Sequence, residues 1–561
     1  MGSSQSLATL SRFANSPSAM LWAAVIAAGA MAVPLIFRKN IVSKNGLPIP
    51  SGPLFRYAFL RKYPERAIHA WAKIYGPLYS VWMGNQLFVV ISDSRIARDL
   101  LVTQGAIFSG RKRYFMKSET ILAGRAITGS TYNDKWRVRC LMRAFLTSKA
   151  VRDYADVLDY EASILVRSFY RACGDGTVSI EPVSYVGRYA LNNMLTISYG
   201  TRTDSSSDPF VEKALVLAME FMDLTGPWSN AIDFIPLLQW IPSKMKTRGK
   251  KLNKAMVEVY GAMFLQVKDR LTSGEAVPDC LVKTLVETAE KEKLDWEDTC
   301  MLAAAFTLGG VHSISGMIQW FIALLPSHPE VQARAHEELD RVIGRDQPPT
   351  TADEAKLPYV RAVIKELQRV HPPFWMGTPH YSTEDYEYNG VFIPKDTVVV
   401  LNCYTLHHNE ERCKSPLLLV NGHVLTKDES GQTQTSTLFR LSLKPTGLMF
   451  NSDTFNPDRY MDDHLSCAES AKLSDPNERD HWAFGAGRRF CPGVVMAEQE
   501  LWLAISRILW AFTVHSLPSE PISLEEYEGR SGRTPLPFKV RFTPRHDRVG
   551  KFLENINEIT L

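Results

Sequence analysis

The pattern of apolar and polar positions predicts a mostly helical protein body. Its longest apolar segment opens with acidic residues at 297–298 and stays apolar for about 25 residues until Pro326 interrupts it. A helix that is apolar on all sides is expected to cross the protein interior. Two more helical patterns follow, an amphipathic one at 328–344 and one at 357–371 that ends before Pro372 and Pro373.

A smaller β portion follows these helices. Residues 386–402 ("YEYNGVFIPKDTVVVLN") alternate between apolar and polar positions and contain an Asn-Gly pair at 389–390. This pattern is typical of short strands joined by a tight turn. The fold class predicted from the pattern is therefore mainly α with a minor β region.

The N-terminus carries a separate apolar run. Residues 19–37 contain no charge, and as a helix they would span about 28 Å, close to the hydrocarbon thickness of a bilayer. Arg12 precedes the run, whereas Arg38, Lys39 and Lys44 follow it, which predicts a luminal segment at 1–18 and a cytosolic body. A cleaved signal peptide and a buried helix are the alternatives. Residues 38–59 are rich in proline and glycine and are expected to form a hinge.

Composition narrows the class of protein only slightly. The chain has 561 residues, of which 45% are hydrophobic and 22% are charged, with a formal net charge of +4. This charge is too small to favour binding to nucleic acid. The eight cysteines include no C-x-x-C pair, so neither a disulfide framework nor a structural zinc site is expected.

One cysteine lies in a distinctive setting, the stretch "HWAFGAGRRFCPGVVMAEQE" at 481–500. Cys491 stands just before a segment with strong helical character, and glycines at 485, 487 and 493 allow the backbone to approach a flat group. Phe484 can shield the sulfur, and Arg489 offers a cation to an anionic group. These features favour an axial thiolate ligand to haem iron. A buried, inert cysteine is the alternative; a dinucleotide loop is excluded because Phe490 replaces its third glycine.

The ten residues "FGAGRRFCPG" resemble the haem-binding signature of the cytochrome P-450 superfamily, F-x-x-G-x-R-x-C-x-G. The fixed positions are Phe484, Gly487, Arg489, Cys491 and Gly493. The resemblance implies a haem b cofactor whose iron is bound by the Cys491 thiolate. It also implies the mainly helical cytochrome P-450 fold with a small β region, here preceded by one transmembrane helix.

Further family motifs occur in the expected order. Glu366 and Arg369 resemble the E-x-x-R pair, with Arg459 as its third member, and His380 matches the basic residue that binds a haem propionate. The resemblance covers residues 45–545. It implies a catalytic domain at 60–545 followed by a tail at 546–561.

Two segments of the chain depart from the family pattern, and the first lies in the long apolar helix. In "LGGVHSIS" Gly309 and Gly310 fit the small pair that leaves room for O2, but His312 stands where an acid is usual and Ser313 where threonine is usual. Either these two side chains relay protons, since histidine titrates near neutral pH, or they are merely tolerated there.

The second departure lies at "KWRVRC". Trp136 matches the family pattern, but Cys140 replaces the arginine that would bond a propionate. Arg137 or Arg139 are the candidate substitutes.

Residues 416–451 interrupt an otherwise compact run of family-like sequence. They are either a solvent-exposed loop, which chains tolerate at small entropic cost, or a translated intron. The join reads naturally without them, which favours the intron, and we expect the segment to be poorly ordered if it is translated.

The resemblance implies a monooxygenase anchored in the endoplasmic reticulum membrane by a single span, similar to fungal microsomal members of secondary metabolism. Its substrate is expected to be a hydrophobic small molecule, met by residues 108–124, Phe306 and residues 374–378. No flavin domain fits in the chain, so a separate NADPH-cytochrome reductase is the expected electron donor, with a cytochrome b-type donor as a further partner. The alternatives are a haem-thiolate isomerase, dehydratase or lyase, and a non-catalytic haem protein.

Overall fold

The computed structural model describes residues 41–53, 63–125, 140–226, 228–409, 418–420, 423–427, 433–436 and 452–556. The side chains of residues 140–142 and of the segments between 418 and 436 are outside this description. The predicted luminal segment, the transmembrane run at 19–37, Trp136, Arg137 and Arg139 all lie outside the described residues.

Helices dominate the described chain, as the apolar periodicity predicts. In chain order they are α1 (Pro64–Tyr75), α2 (Ser94–Ala97), α3 (Ser148–Asp153), α4 (Ala155–Cys173), α5 (Val183–Tyr199), α6 (Pro209–Thr225), α7 (Lys244–Thr272), α8 (Leu281–Thr288), α9 (Trp296–Leu324), α10 (Pro329–Val342), α11 (Pro358–Val370), α12 (Cys403–His407), α13 (Cys467–Ser470), α14 (Val494–Ala511) and α15 (Arg548–Glu554).

Shorter turns of helix connect these elements. π-helical segments occupy Arg98–Thr103 and Phe115–Ile121, and the 3-10 segments are Cys140–Leu146, Gly174–Gly176, Ala231–Asp233, Pro236–Gln239, Leu325–Ser327, Thr351–Lys356, Pro457–Tyr460 and Gly487–Arg489.

The central helix α9 is the apolar segment that the sequence placed in the interior. The Asp295 side chain caps it by accepting a hydrogen bond from the Asp298 backbone N–H, which satisfies a free donor at the helix start. It packs against α5, α7 and α14, and most of its residues are buried. Within the described residues, 296–327 is the one helical stretch long and apolar enough to cross a membrane, and 78% of its most apolar window is buried. It is therefore a core helix.

The strands form small sheets at the edges of the helical core. They are β1 (Leu78–Met83), β2 (Gln86–Ile91), β3 (His380–Tyr381), β4 (Tyr386–Tyr388), β5 (Val391–Ile393), β6 (Val398–Leu401), β7 (Leu418–Val420), β8 (His423–Lys427), β9 (Thr433–Ser436), β10 (Phe512–Ser516), β11 (Tyr527–Glu528), β12 (Thr534–Pro535) and β13 (Val540–Pro544).

The largest described sheet has the strand order β1-β2-β6-β3, with β2 and β6 parallel and the other pairs antiparallel. Strands β4 and β5 form the predicted hairpin, and Asn389 and Gly390 both adopt positive φ, 46° and 83°, in its turn. A two-residue turn with both residues at positive φ matches the twist of antiparallel strands, which explains the Asn-Gly pair.

Three short strands lie inside the predicted insertion. Strands β7, β8 and β9 pair antiparallel with one another in that order. The chain on both sides of the insertion belongs to the helical body: α12 precedes it, and the described chain resumes at Ser452 ahead of the turn Pro457–Tyr460.

Candidate functional site

The loop that carries Cys491 closes on itself before helix α14 begins. The Cys491 backbone N–H donates to the Phe484 carbonyl at 2.9 Å, and α14 starts at Val494 with Gly493 as its N-cap. Cys491 is half-buried as a residue, whereas the other cysteines with described side chains are buried: Cys173, Cys280, Cys300, Cys403 and Cys467. Cys491 is therefore the described thiol best placed to meet a ligand.

Two opposing effects act on the Cys491 thiol. Burial raises its pKa, because a thiolate loses its hydration, while a hydrogen bond from the Gly493 backbone lowers it. The first effect is the larger, so the helix start alone does not produce the thiolate that the sequence pattern suggested. Direct coordination to a metal ion would deprotonate this sulfur.

Gly487 holds the loop against a neighbouring helical turn. It has φ +61°, and an added Cβ would lie 1.9 Å from the Leu101 carbonyl oxygen in the Arg98–Thr103 segment. No residue other than glycine fits this approach. The fixed glycine of the signature is thus explained here by contact with protein backbone.

The predicted E-x-x-R triad is present and buried. Arg369 donates to both carboxylate oxygens of Glu366 at 2.7 Å, and Arg459 Nε lies 3.3 Å from the same carboxylate. Glu366 is fully buried and Arg369 is 3% exposed. A bidentate pair at this burial fixes both side chains, and removing one partner would leave an uncompensated buried charge.

A chain of contacts connects this triad to the Cys491 loop. Arg369 Nη1 donates to the His407 carbonyl at 2.9 Å, and the His407 Nε2 accepts the Trp482 backbone N–H at 2.8 Å. Arg479 holds the same loop from the other side, donating to the His481 and Gly485 carbonyls at 2.8 Å each. Glu366 thus supports the thiol loop through two intermediates.

Cationic side chains converge beside this loop. The Arg489 Nε donates to the Ser109 carbonyl at 2.9 Å, and Arg111 Nη1 donates to the Thr378 and Pro379 carbonyls at 2.7 Å each. His380 Nδ1 lies 2.7 Å from the carbonyl of Phe108, the residue next to the Ser109 that Arg489 contacts. The structure therefore brings two sequence-predicted residues, His380 and Arg489, close to Arg111.

The lowered pKa values of three basic side chains show that the electrostatic potential around Arg111 is strongly positive. Burial and the neighbouring Arg489 lower the pKa of Arg111 to about 9, and burial and Arg111 lower the pKa of Lys117 to about 8. Burial, Arg111 and Arg489 together lower the pKa of His380 to about 3, so its imidazole is neutral. Among the described residues neither Arg111 nor Lys117 forms an ion pair. The cluster is suited to anionic groups such as the two carboxylates of haem, and the fit to the expected cofactor is good.

The central helix presents the second predicted group. The Ser313 hydroxyl donates to the Gly309 carbonyl at 2.9 Å, one turn back on α9. His312 is 6% exposed, and its Nε2 has no hydrogen-bond partner among the described residues. Burial lowers the pKa of His312 to about 4, so the ring is neutral near pH 7.

The two glycines of this segment differ in surroundings. A Cβ on Gly309 would meet no atom within 4 Å, whereas a Cβ on Gly310 would lie 2.2 Å from the Met194 sulfur on α5. Gly309 therefore matches the expected space-making role, while Gly310 lets helices α5 and α9 approach each other closely.

A second group of potential metal ligands lies beside the loop. Cys467 Sγ is 3.5 Å from His481 Nε2, and with Asp480 they form a buried group whose ligand atoms all lie within 4.8 Å of one another. Gln368 Oε1 lies 3.0 Å from His481 Nε2, and the Lys365 ammonium lies 3.4 Å from Asp480 Oδ2. Because a lysine already neutralises the carboxylate, we interpret this group as a polar network behind the loop.

Comparison with known proteins identifies the class. The sequence model described as "Cytochrome P450" matches residues 47–418 and 449–542, leaving 419–448 between the two matched ranges. The chain belongs to the cytochrome P450 family. The predicted family, the haem cofactor with cysteine thiolate ligation, and the prediction of a cytochrome P450 enzyme, an oxidoreductase, are confirmed.

Several curated fungal proteins are similar along most of the chain. Cytochrome P450 monooxygenase verL of Clonostachys rogersoniana is 30% identical over 499 residues, covering 86% of this chain and 83% of that protein. Cytochrome P450 monooxygenase polD of Polytolypa hystricis is 27% identical over 522 residues, covering 91% and 93%. Cytochrome P450 monooxygenase fogE of Aspergillus ruber is 28% identical over 559 residues, covering 95% and 93%.

Several residues of the site are not indicated by the sequence motifs. Arg111 and Lys117 lie in the segment predicted to meet the substrate, "FSGRKRYFMKSETILAG", and its density of basic residues was the available signal. His407 and Arg479 contact the loop only through long-range pairing with Trp482, His481 and Gly485, which no local pattern reveals.

Proposed function

We propose that this protein is a membrane-associated cytochrome P450 monooxygenase that oxidises a hydrophobic small molecule, with Cys491 as the axial ligand of its haem iron. The observation that carries the proposal is the Cys491 loop. It combines a half-buried cysteine, the backbone contact of Gly487 and a chain of hydrogen bonds to the buried Glu366–Arg369 pair. The match over nearly the whole length of fungal monooxygenases supports the reaction type.

The chain's own residues account for how the cofactor would be held. Cys491 would bind the iron, and the cationic side chains of Arg111, Lys117 and Arg489 would bind the two carboxylates. His380, which the family pattern assigns to the same task, would bind a carboxylate only in its protonated form, because its neutral ring uses the Nδ1–H on the Phe108 carbonyl. Trp136 and Arg137, or Arg139, remain further candidates for this task from the sequence. When bound, the haem supplies the activation of O2 and the insertion of one oxygen atom into the substrate.

Ser313 is the residue that we propose delivers protons. Its hydroxyl donates to the Gly309 carbonyl in the structure; to deliver a proton it would turn from that carbonyl, release its own proton toward the pocket and gain a replacement from water. Neutral His312 can pass a proton by accepting at one ring nitrogen and releasing from the other, but it cannot serve as a standing acid with a pKa of about 4.

Electrons would come from a separate NADPH-cytochrome reductase, with a cytochrome b-type donor as a second source. The exposed Arg488, three residues before Cys491 in sequence, offers a positive contact to an acidic partner. Flavoprotein docking on the side of the thiol ligand keeps the path from flavin to haem short.

Membrane association is supported by an apolar surface loop besides the predicted anchor at 19–37. We define the apolar loop as residues 235–241, which expose Ile235 (40%), Leu237 (70%), Trp240 (85%) and Ile241 (49%). Exposed lysines follow at 244, 250 and 251, which suits anionic lipid. The loop follows Phe234, whose carbonyl accepts the Asn85 backbone N–H at the β1–β2 turn. On β1, the Ser80 backbone N–H donates to the Ser51 carbonyl in the predicted hinge, so the loop and the hinge are connected through the same pair of strands. We therefore propose an endoplasmic reticulum protein with a single span, its body cytosolic and lying on the membrane.

The proposed substrate class follows from one aromatic residue on the central helix and one beside it. Phe306 is 7% exposed, and Phe374 lies 6.4 Å from the His312 ring, measured between ring centroids. Aromatic walls of this kind suit an apolar ring system. We propose a role in secondary metabolite biosynthesis, in keeping with the fungal relatives.

One observation favours a second function. An isomerase, dehydratase or lyase acting on an already oxygenated substrate needs no proton supply to O2, and His312 is neutral where the family pattern has an acid. Dependence of turnover on NADPH and the reductase separates this function from the monooxygenase. A haem protein without turnover under either condition would be non-catalytic.

The test uses the full chain in microsomes with three cysteine variants. We expect Cys491→Ala to lose haem and the carbon monoxide difference spectrum of a thiolate-bound haem. Cys467→Ala and Cys403→Ala, which remove buried thiols near the loop, should retain both. Loss of the spectrum in Cys467→Ala with retention in Cys491→Ala would overturn the assignment. NADPH-dependent oxidation of apolar ring compounds then tests the reaction.

A further inference from the structure

The turn between β11 and β12 is held between two distant parts of the chain. We define the C-terminal turn as residues 527–535; its ends pair antiparallel, with Tyr527 opposite Pro535 and Glu528 opposite Thr534. Gly529 at its bend has φ +89°. Within this turn Gly532 contacts His312 on the central helix and Arg533 contacts Glu65 on α1, so the two neighbouring residues meet different parts of the chain.

The outward side of the C-terminal turn is fixed by a buried ion pair. Arg533 Nη2 lies 2.5 Å from Glu65 Oε2 at the start of α1, and both side chains are at most 3% exposed. Tyr527 donates its hydroxyl to the other Glu65 oxygen at 2.8 Å, and its ring lies 4.3 Å from the Arg533 guanidinium carbon. Two partners of Glu65 thus come from the two ends of the turn.

The inward side of the same turn packs directly on the central helix. A Cβ on Gly532 would lie 2.1 Å from His312 Nε2, so the imidazole rests against the glycine backbone. One residue further, the Arg533 carbonyl accepts the Trp320 indole N–H at 3.3 Å. The position of the turn therefore determines the space available to His312.

We propose that the Glu65–Arg533 ion pair is a positioning device for the distal pocket, holding Gly532 against His312 and so fixing the pocket wall beside Ser313. Arg533 and Glu65 touch neither substrate nor cofactor in this assignment; they act through the C-terminal turn. The inference rests on the proposed function, because the pocket is defined by a haem on Cys491. It adds that α1, the first helix of the described chain, shapes substrate fit, although Glu65 and Arg533 are 468 residues apart.

The experiment measures how two azoles bind to the haem of the full-length holoprotein. Imidazole serves as the small probe and 4-phenylimidazole as the large one, each titrated by the shift of the main haem absorption band. Glu65→Gln removes the charge but keeps the shape. Glu520→Gln is the matched control, since Glu520 pairs with Lys539 at 3.8 Å on the surface of the same C-terminal region.

We expect Glu65→Gln to change the Kd of 4-phenylimidazole about tenfold while the Kd of imidazole changes less than about twofold. Glu520→Gln should leave both values as in the wild type. Haem content should be unchanged in both variants, which separates this inference from the proposed function. If haem is bound normally but the ratio of the two Kd values in Glu65→Gln equals the wild-type ratio, the ion pair has no positioning role.

A rescue experiment tests the contact with His312 itself. Gly532→Ala adds the methyl group that would collide with the imidazole and should alter 4-phenylimidazole binding as Glu65→Gln does. The double variant Gly532→Ala/His312→Ala removes the collision, so its Kd should return to that of His312→Ala alone. A double variant that keeps the full Gly532→Ala defect would contradict the proposed contact.

Discussion

At the scale of single residues, the shape of the Cys491 loop is explained by a few residues whose contacts allow no other residue type at their positions. Gly487 meets backbone where a methyl group has no room, and Arg369 satisfies both oxygens of Glu366 with one guanidinium. The signature residues could be predicted because they lie within ten consecutive positions. The contribution of Arg111 could not, since it depends on contacts with Thr378 and Pro379, which lie 267 and 268 positions away, and Lys117 joins the site only through its proximity to Arg111.

Gly487→Ala is expected to disturb the thiol loop. The added Cβ must displace the Leu101 carbonyl, so we expect a clear loss of haem content, measured against total protein. Gly390→Ala is the matched control: it also has positive φ, +83°, but its Cβ would meet no atom within 4 Å. The control should lose only about 1 kcal/mol of stability from backbone strain. Equal haem loss in both variants would show that strain, and not the Leu101 contact, is responsible.

Lys117→Met is expected to weaken retention of the cofactor. It removes one cation from the Arg111 cluster, and the loss of one charge-assisted contact corresponds to roughly tenfold faster haem transfer to apomyoglobin. Lys112→Met is the control on the same segment, because the Lys112 ammonium donates to Gln86 instead. A haem transfer rate unchanged by Lys117→Met would remove Lys117 from the propionate site.

At the scale of elements, the central helix and the helix that follows the thiol loop were readable from sequence. The apolar run starting at Trp296 and the helix-forming run after Gly493 became α9 and α14 at the expected places. The packing of these helices against α4 and α5 could not be predicted from the sequence, because it depends on which helix faces contact each other in the fold. One such interface contains a buried acid: Glu500 on α14 accepts the Asn193 side-chain N–H on α5 at 2.9 Å.

Glu500→Gln is expected to raise thermal stability, and increasingly so with pH. Burial raises the pKa of Glu500 to about 8, so in the folded protein it stays protonated where the unfolded chain, with an ordinary value of 4.5, is ionised. Its contribution to stability is therefore full below pH 4.5 and is lost as pH rises to about 8. Glutamine keeps the bond from Asn193 without ionising, so the Tm of the variant should exceed that of the wild type by several degrees at pH 8 and much less at pH 5.

The control is Glu554→Gln, which changes an exposed acid on α15 and should give the same Tm difference at both pH values. A Tm for Glu500→Gln that lies below the wild type throughout this range would show that the carboxylate is ionised in the fold and needed there.

At the scale of the whole molecule, an exposed apolar surface favours the membrane association that we propose. The apolar loop at 235–241 carries exposed side chains that a water-facing loop does not need. Its position beside the β1–β2 turn depends on the contact of Phe234 with Asn85, which sequence patterns do not show. The anchor at 19–37 was inferred from sequence alone and lies outside the described residues.

A chain lacking residues 1–37 is expected to keep measurable affinity for vesicles containing phosphatidylserine, in a sedimentation assay. Changing both Leu237 and Trp240 to serine should abolish most of this binding, since their two side chains supply the largest exposed apolar area of the loop. Val178→Ser, at an exposed apolar residue elsewhere, is the control. Vesicle binding that is unaffected by the double change would exclude the apolar loop as a membrane contact.

Arg369 has a consequence for how this protein can be modified. Its Nη1 donates to the carbonyls of His407 at 2.9 Å and Ser452 at 2.7 Å, which brings together the backbone on both sides of residues 410–451. One guanidinium thus bridges the two backbone segments that flank residues 410–451. Residues 410–451 are therefore a suitable point for inserting a reporter domain or a purification tag, because the insert would begin and end at backbone segments that Arg369 holds together.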